Sequence, residues 1–268
     1  MKLISYSLYG NQIRYTQPLI LNAQEINSFY KGWEMRVYHD NTVPIDIINK
    51  LRENNVKLIN INKTIYLDFA PKFWRFLPIF EDTYDLIIFR DSDSIFTDRE
   101  SKFVNEWAES NYDFHIIRDH QLHISPILAG MFGIKKKFFA LFKHQLLKNK
   151  QLFRSKSYNA DQIFLADFIY KKIINSCLIH TSYFAFYGEF FEKIKKVEDE
   201  SKFIGSIYID EKKSINTIIN YDFIVGIPFW FAKILRYKIR PVLYISYYFN
   251  LVMRKKVIPF IFIYFCTI

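Results

Sequence analysis

The chain is poor in the residues that build cross-linked or irregular proteins. Its 268 residues include 2 cysteines, 7 glycines and 8 prolines. Cys177 and Cys266 lie far apart and lack the spacing of a metal site, which excludes a disulfide framework and favours a reducing compartment. The scarcity of glycine and proline excludes fibrous and low-complexity chains. With 50% hydrophobic residues, the chain can instead form one large domain with its own core.

Long apolar runs are also missing. The apolar stretches 241–253 and 257–268 are shorter than the roughly 20 residues that a membrane-spanning helix needs. Arg254, Lys255 and Lys256 separate them. The N-terminal stretch turns polar too early for a signal peptide. We therefore expect a cytoplasmic protein without a membrane span.

Acidic residues are absent from residue 223 onward. This part of the chain holds seven basic residues, interleaved with aromatic ones, whereas the whole chain has a net charge of +10. Such a segment suits an anionic bilayer surface, so we expect 221–268, mainly 226–268, to be a basic, aromatic helical appendage on the inner face of the cell membrane. A helical pair packed on the main domain is the alternative. Nucleic acid is not expected, because no nucleic-acid fold signature accompanies the charge.

Strand and helix patterns alternate along residues 1–220. Runs rich in β-forming residues predict strands at 2–8, 33–40, 56–61, 84–91, 112–119, 126–135 and 176–182. Helical spacing appears at 11–30, 44–55, 73–82, 99–110, 135–150 and 159–174. This alternation predicts an α/β domain with a mainly parallel sheet flanked by helices. In such sheets, ligands bind beyond the carboxyl ends of the strands.

Two aspartates stand at one of these carboxyl ends. Asp91 and Asp93 follow the apolar run "DLIIF", and the turn there allows both side chains to point at one place. Neighbouring carboxylates repel each other, and a divalent cation relieves the repulsion. Their oxygen ligands suit Mg²⁺ or Mn²⁺. A solvated turn, in which an aspartate caps the next helix, is the alternative.

Four motifs, taken in order, resemble the core of GT-A glycosyltransferases, which use nucleotide-sugar donors. "KFWRFLPIFEDTYDLIIFRDSDSIF" resembles the segment in which an Asp-x-Asp ends a strand of the nucleotide-binding sheet. "ILAGMFGIK", "NADQIFL" and "CLIHTS" resemble motifs of family-eight-like retaining enzymes, although "ILAGM" lacks the Asn that precedes Ala-Gly there. The resemblance covers about residues 1–210 and extends to bacterial capsule and lipopolysaccharide transferases. It implies a GT-A, Rossmann-like fold.

The resemblance also implies a role for each matching residue. The expected metal ligands for Mn²⁺ or Mg²⁺ are Asp91, Asp93 and His180. The expected donor contacts are Arg75, Ser92 and Gly130. Asp161 and Gln162 are expected at the anomeric carbon of the donor. Some of these residues also have a purely structural explanation. An aspartate such as Asp161 favours the start of a helix, and Gly130 and Gly133 suit the packing of a strand. His180 suits the interior of the protein.

The loop "IIRDHQLHISP" carries a further set of polar side chains. Arg118, Asp119 and His120 are expected to contact hydroxyls or phosphate of the donor sugar or the acceptor. A zinc site formed by His120 and His123 is the alternative, but the nearby sequence offers no other zinc ligands.

The sequence thus predicts a metal-dependent glycosyltransferase. Its expected substrates are a nucleotide-sugar donor and a bacterial surface glycan or lipid-linked acceptor, and the resemblance implies retention of anomeric configuration. A sugar nucleotidyltransferase is one alternative, although "SYSLYGNQIRYTQ" has one glycine where those enzymes usually carry a glycine-rich basic loop. A non-catalytic, membrane-associated protein that binds nucleotide-sugars is the other.

Overall fold

The computed structural model describes residues 1–66, 68–155, 157, 159–199, 202–208 and 224–227. The strands of this part are β1 (Lys2–Leu8), β2 (Trp33–His39), β3 (Lys57–Asn60), β4 (Leu86–Arg90), β5 (Phe114–Arg118), β6 (Met131–Lys135), β7 (Cys177–Thr181), β8 (Phe184–Phe186), β9 (Phe191–Lys193) and β10 (Ile224–Ile227). Its α-helices are α1 (Ile13–Phe29), α2 (Ile45–Glu53), α3 (Asp98–Glu109), α4 (Phe139–Lys148), α5 (Lys150–Phe153), α6 (Ala160–Phe164) and α7 (Tyr170–Ile173). Short 3₁₀ helices span Ile61–Lys63, Pro71–Phe80, Lys136–Phe138 and Ile174–Ser176, and a π-helical turn spans Leu165–Ile169.

Eight of these strands form one mixed sheet in the order β3-β2-β1-β4-β6-β5-β7-β9. Strand β6 is antiparallel to both of its neighbours, β4 and β5, whereas the other paired strands run parallel. The predicted α/β class, with a mixed and mainly parallel sheet flanked by helices, is therefore confirmed. The parallel strands β1, β2, β3 and β4 end at the same edge, which gathers the residues that follow them.

Apolar side chains fill both faces of the sheet. On the first face, Leu3, Ile87 and Phe89 pack against the 3₁₀ segment Pro71–Phe80, α4 and α6. On the second face, Ile4 and Ile88 pack with residues of α1, α2 and α3. Since successive residues of a strand point to opposite faces, neighbouring residues at a strand end are sent to different sides of the sheet.

Several elements differ from the sequence expectation. The strand expected over 126–135 begins only at Met131, and the helix expected over 73–82 is a 3₁₀ helix over Pro71–Phe80. The helix expected over 159–174 is interrupted by the π-helical turn. The three-residue strands β8 and β9 are too short to show a periodic pattern in the sequence.

The start of the predicted appendage 221–268 is attached to the main domain. Strand β10 pairs in parallel with β8 to form a second, two-stranded sheet. The rest of the appendage, including its basic residues, lies outside the described residues. No helix of the described part is long and apolar enough to cross a membrane.

A buried ion pair joins β4 to α3. Arg90 Nε donates to Glu100 Oε1, and both side chains are 3% exposed. The Tyr30 hydroxyl donates to the same carboxylate oxygen at 3.0 Å. Thr97 caps α3 by accepting from Glu100 N at 3.1 Å. This pair fixes the last residue of β4 before the chain reaches Asp91.

Replacing Glu100 by Gln should strongly destabilise the fold. Because Arg90 would keep a buried charge without its counter-charge, we expect a loss of about 3–5 kcal/mol in the free energy of unfolding. Urea unfolding followed by circular dichroism measures it. Glu109→Gln, at an exposed position of the same helix, is the control and should change stability by less than about 0.5 kcal/mol. Equal losses in the two variants would contradict the prediction.

Candidate active site

The Arg75 guanidinium joins two carboxylates at the carboxyl edge of the sheet. Its Nη1 donates to Asp91 Oδ1, and its Nη2 donates to Asp161 Oδ2 at 2.8 Å. Arg75 is 5% exposed, whereas the Asp91 side chain is 53% exposed. The guanidinium therefore holds Asp91 from behind and leaves part of its carboxylate facing solvent.

Two serines of β1 hold the main chain of Arg75. Ser5 Oγ donates to Arg75 O at 2.7 Å, and Arg75 N donates to Ser7 Oγ at 2.9 Å. Ser5 and Ser7 lie two residues apart, so both point to the face of the sheet that Pro71–Phe80 covers. The polar residues in the otherwise apolar run "KLISYSL" thus fix the position of the arginine.

Gly130 leaves the room that the Asp91 side chain occupies. A Cβ atom at this position would overlap Asp91 Oδ2 and Cγ and would lie 2.8 Å from Asp91 N. Gly133 differs, because a Cβ atom there would lie 2.5 Å from the Trp107 ring. Gly130 therefore belongs to the site, while Gly133 allows β6 to pack against α3.

Asp93 is the more enclosed of the paired aspartates. Its side chain is 15% exposed, and its Oδ2 accepts from Arg14 Nη2 at 2.9 Å. Burial and then repulsion from Asp91 raise the pKa of the Asp93 carboxyl, although Arg14 opposes both effects. Ser92, between the two aspartates, is buried. Two carboxylates that repel each other are of the type that a divalent cation can bridge.

Asn22 of α1 fixes the loop that follows the aspartates. Its Nδ2 donates to Ser94 O at 2.9 Å, and its Oδ1 accepts from Phe96 N at 2.8 Å. Asn22 is itself 2% exposed. The loop after β4 is consequently held at Ser94 and Phe96, while Arg90 holds the strand before it.

Asp161 and Gln162 lie at the start of α6. Burial raises the pKa of the Asp161 carboxyl, and Arg75 counteracts this effect. Asp161 Oδ1 accepts from Gln162 N at 2.9 Å, and Gln162 Oε1 accepts from Ser125 Oγ at 3.0 Å. Asp161 therefore joins Arg75 and Asp91 in one group, and Gln162 lies directly beside it.

His180 joins a different group from the one expected. It is fully buried within β7, its ring stacks on Phe103 at 4.5 Å, and its Nε2 lies 3.1 Å from Glu106 Oε2. Phe103 and Glu106 belong to α3, on the opposite face of the sheet from Arg75. This corrects the expected metal set: Asp91 and Asp93 lie at the carboxyl edge without the His180 ring.

Arg118 and Asp119 are turned inward rather than toward a substrate. Both are 0% exposed. Arg118 Nη2 forms an ion pair with Glu189, which accepts from Tyr170 as well. Asp119 accepts from Arg99 Nε and Nη2, both at 2.8 Å. Both charges are therefore paired within the fold. This corrects the expectation that Arg118 and Asp119 contact hydroxyls or phosphate of a substrate.

His120 is only partly buried, and its ring stacks on Phe203 with 4.2 Å between the ring centroids. Burial lowers its pKa to about 4, so the ring is neutral near pH 7. Its Nδ1 accepts from Leu122 N at 3.2 Å, and His123 Nδ1 accepts from Asp119 N at 3.1 Å. Across the described ranges, these two histidines do not belong to a group of three ligands that could hold a metal.

Sequence reasoning missed two residues at this edge. Tyr9 follows β1, is 48% exposed and lies within electrostatic range of Arg75, Asp161 and Asp91. Arg14, in the first turn of α1, is the partner of Asp93. The rule that ligands bind beyond the carboxyl ends of strands could have indicated Tyr9. No local pattern indicates Arg14.

Replacing Gly130 by Ala should displace the Asp91 carboxylate. Because the added methyl group overlaps Asp91, we expect destabilisation of about 1–3 kcal/mol, as for other overpacked sites, measured by urea unfolding. A double-mutant cycle with Asp91→Ala is the control. Removing the Asp91 side chain should relieve most of the clash, so the two changes should together cost less than their sum. Independent, additive losses would contradict the assigned contact.

No protein-family model matches the chain, and a search of curated proteins finds no match. Among solved structures, it is similar to TarS 1–349 of S. aureus, with 16% identity and a TM-score of 0.43, over 66% of this chain and 57% of that one. It is also similar to the galactosyltransferase LgtC in complex with donor and acceptor sugar analogues, with 12% identity and a TM-score of 0.44, over 69% and 76% of the chains. A third similar structure is that of glucosyl-3-phosphoglycerate synthase from Mycobacterium tuberculosis in complex with Mn²⁺, UDP and phosphoglyceric acid. The similarity covers 67% of each chain, with 8% identity and a TM-score of 0.44. The chain thus spans a little over half of the first structure, and its function has to be inferred from the residues of its site.

Proposed function

We propose that the protein is a metal-dependent glycosyltransferase that moves a sugar from a nucleotide-sugar donor to an acceptor. One observation carries this proposal. Arg75 and Asp91 come from one motif, and Gly130 and Asp161 come from two others, yet all four meet at one place. That place is the carboxyl edge of the sheet, where α/β proteins bind their ligands.

Asp91 and Asp93 would hold the metal ion. The exposed part of the Asp91 carboxylate and the raised pKa of Asp93 fit a site that becomes more favourable when a cation offsets the repulsion. A bound Mn²⁺ or Mg²⁺ would neutralise the diphosphate as it leaves the sugar. Arg75 and Arg14 keep the two carboxylates in place. In this proposal His180 is not a ligand of the ion, because its ring lies against α3.

The remaining residues of the edge have roles in binding and orientation. The exposed ring of Tyr9 offers a stacking surface for the donor, and Ser92 and Gly130 line its diphosphate. Asp161, anchored by Arg75, and Gln162, oriented by Ser125, lie where positive charge develops at the anomeric carbon. A fixed carboxylate or amide oxygen stabilises that charge without having to reorient. His120 lies on the neighbouring loop as a contact for the acceptor.

We further propose an acceptor, a membrane contact and a stereochemical course for the transfer. The acceptor is a bacterial surface glycan of the capsule or lipopolysaccharide type, or its lipid-linked precursor. The segment 226–268 would bring the enzyme to the anionic inner face of the membrane that carries such an acceptor. The transfer retains the anomeric configuration, and the product anomer, determined by NMR, tests this part separately.

Changing Asp93 to Asn should abolish metal-dependent turnover while the fold remains intact. Because the amide removes one charged metal ligand, we expect Mn²⁺-dependent hydrolysis of the best nucleotide-sugar of a panel to fall at least roughly 100-fold. Asp85→Asn, at the opposite end of the same strand and largely exposed, is the control. Unchanged turnover in Asp93→Asn would refute the assignment. Release of pyrophosphate when a sugar phosphate reacts with a nucleoside triphosphate would favour the nucleotidyltransferase. Binding of the donor without turnover would favour the binding protein.

Changing Asp161 to Asn should separate catalysis from binding. The amide can still accept from Arg75 but carries no charge to stabilise the anomeric centre, so we expect kcat to fall roughly 100-fold. The dissociation constant of the donor's nucleoside diphosphate, measured by calorimetry, should change little. Equal losses in kcat and in nucleotide affinity would place Asp161 in donor binding instead.

A further inference from the structure

A second group of metal-ligating side chains lies away from the proposed donor site. His180 of β7, Glu106 of α3 and Glu192 of β9 each offer one ligand atom, and these atoms all lie within 4.8 Å of one another. In the part of the chain that the structure describes, this is the one such group of three. It sits at the β9 edge of the sheet, on the face covered by α3.

Two of the distances within this group are close to those around a tetrahedral metal ion. His180 Nε2 lies 3.1 Å from Glu106 Oε2 and 3.4 Å from Glu192 Oε2. Zn²⁺ binds histidine nitrogen and carboxylate oxygen at roughly 2.0–2.2 Å with tetrahedral geometry, which places neighbouring ligand atoms roughly 3.3–3.6 Å apart. The third pair, Glu106 and Glu192, lies within 4.8 Å, so the exposed glutamate side chains can close around an ion.

The strand register and ring packing hold the ligands in place. His180 and Glu192 are direct partners across β7 and β9, and Glu106 reaches them from the helix above. The His180 ring stacks on Phe103 with an interplanar angle of 22°. The side chains of Glu106 and Glu192 are 42% and 56% exposed. An ion can thus enter from solvent, and water can complete its coordination.

His115 contacts the ring nitrogen of His180 that faces away from the two glutamates. His115 Nε2 lies 2.8 Å from His180 Nδ1, and His115 is fully buried, with its ring stacked on Trp107. A histidine that binds metal through Nε2 donates from Nδ1 to an acceptor, commonly a carboxylate, a backbone carbonyl or water, which fixes its tautomer and orientation. Here the partner is His115, whose own Nδ1 is buried and has no hydrogen-bond partner.

The charges in the group also favour a cation. Two carboxylates meet at a single imidazole, and one Nε2–H group can form one well-directed hydrogen bond. Lys102 lies 3.9 Å from Glu106 and is 68% exposed, so it offsets little of this charge. A divalent cation would serve both carboxylates and the imidazole at once.

We propose that Glu106, His180 and Glu192 form a divalent transition-metal site, distinct from the donor site and best suited to Zn²⁺. The ion fastens the short edge strand β9 and helix α3 to β7. His115 is its positioning residue. The proposal does not depend on the glycosyltransferase assignment, because none of these residues contacts Asp91, Arg75 or Asp161.

Calorimetric titration of the full chain with ZnCl₂ tests this site. The experiment uses an Asp91→Asn/Asp93→Asn background, so that the donor site contributes no carboxylate pair. We expect one Zn²⁺ per chain, at least roughly tenfold weaker binding in Glu192→Gln and in Glu106→Gln, and unchanged binding in Glu109→Gln. Co²⁺ in place of Zn²⁺ should give visible absorption bands of a four-coordinate ion, which the Glu192→Gln change removes.

Three results would overturn the proposal: no Zn²⁺ binding in this background, equal affinity in Glu192→Gln and Glu109→Gln, or a cobalt spectrum unaffected by Glu192→Gln. Far-ultraviolet circular dichroism confirms that each variant is folded. Because Glu106 and Glu192 are partly exposed, their amide variants should fold normally without the ion. The outcome is also independent of donor turnover, since the titration contains no nucleotide-sugar.

Discussion

The buried guanidinium of Arg75 is the contact on which the carboxyl edge of this sheet depends. It is enclosed by protein, so its charge requires the two carboxylates that it binds, Asp91 and Asp161. These come from the end of β4 and the start of α6, and only the arginine connects them. Ser5 and Ser7 in turn hold the main chain of Arg75. Strand β1 therefore helps to position both carboxylates through the Arg75 side chain.

The chain segments directly before and after the paired aspartates are also held in place. Arg90 ties the strand before them to Glu100, and Asn22 binds the loop after them at Ser94 and Phe96. The ion pairs of the edge contain three carboxylates but only two guanidiniums, Arg75 and Arg14. A rigid acidic site with a charge in excess is suited to a divalent cation.

The sequence predicted what depends on local pattern. Strand periodicity predicted that Asp91 follows a strand at the carboxyl edge of the sheet, and the resemblance implied that Arg75, Gly130 and Asp161 belong to the same region. The sequence did not predict the buried partner of each charged side chain. The polar loop "IIRDHQLHISP" predicts a substrate contact for Arg118, yet Arg118 pairs with Glu189, which lies 71 residues away along the chain. Likewise, Arg14 carries no signal, since its pairing with Asp93 exists only in the folded chain.

The pleat of the sheet explains why His180 cannot be read as a ligand of the donor site. Arg90 and Asp91 are adjacent, yet Arg90 points to the α3 face and Asp91 to the Arg75 face. In β7, His180 shares its face with Leu178, which packs with residues of α3, whereas Ile179 faces the other core. A strand end alone does not decide the side to which a residue points. Helix α3 carries both Glu100, which pairs with Arg90 of β4, and Glu106, which lies beside His180 of β7.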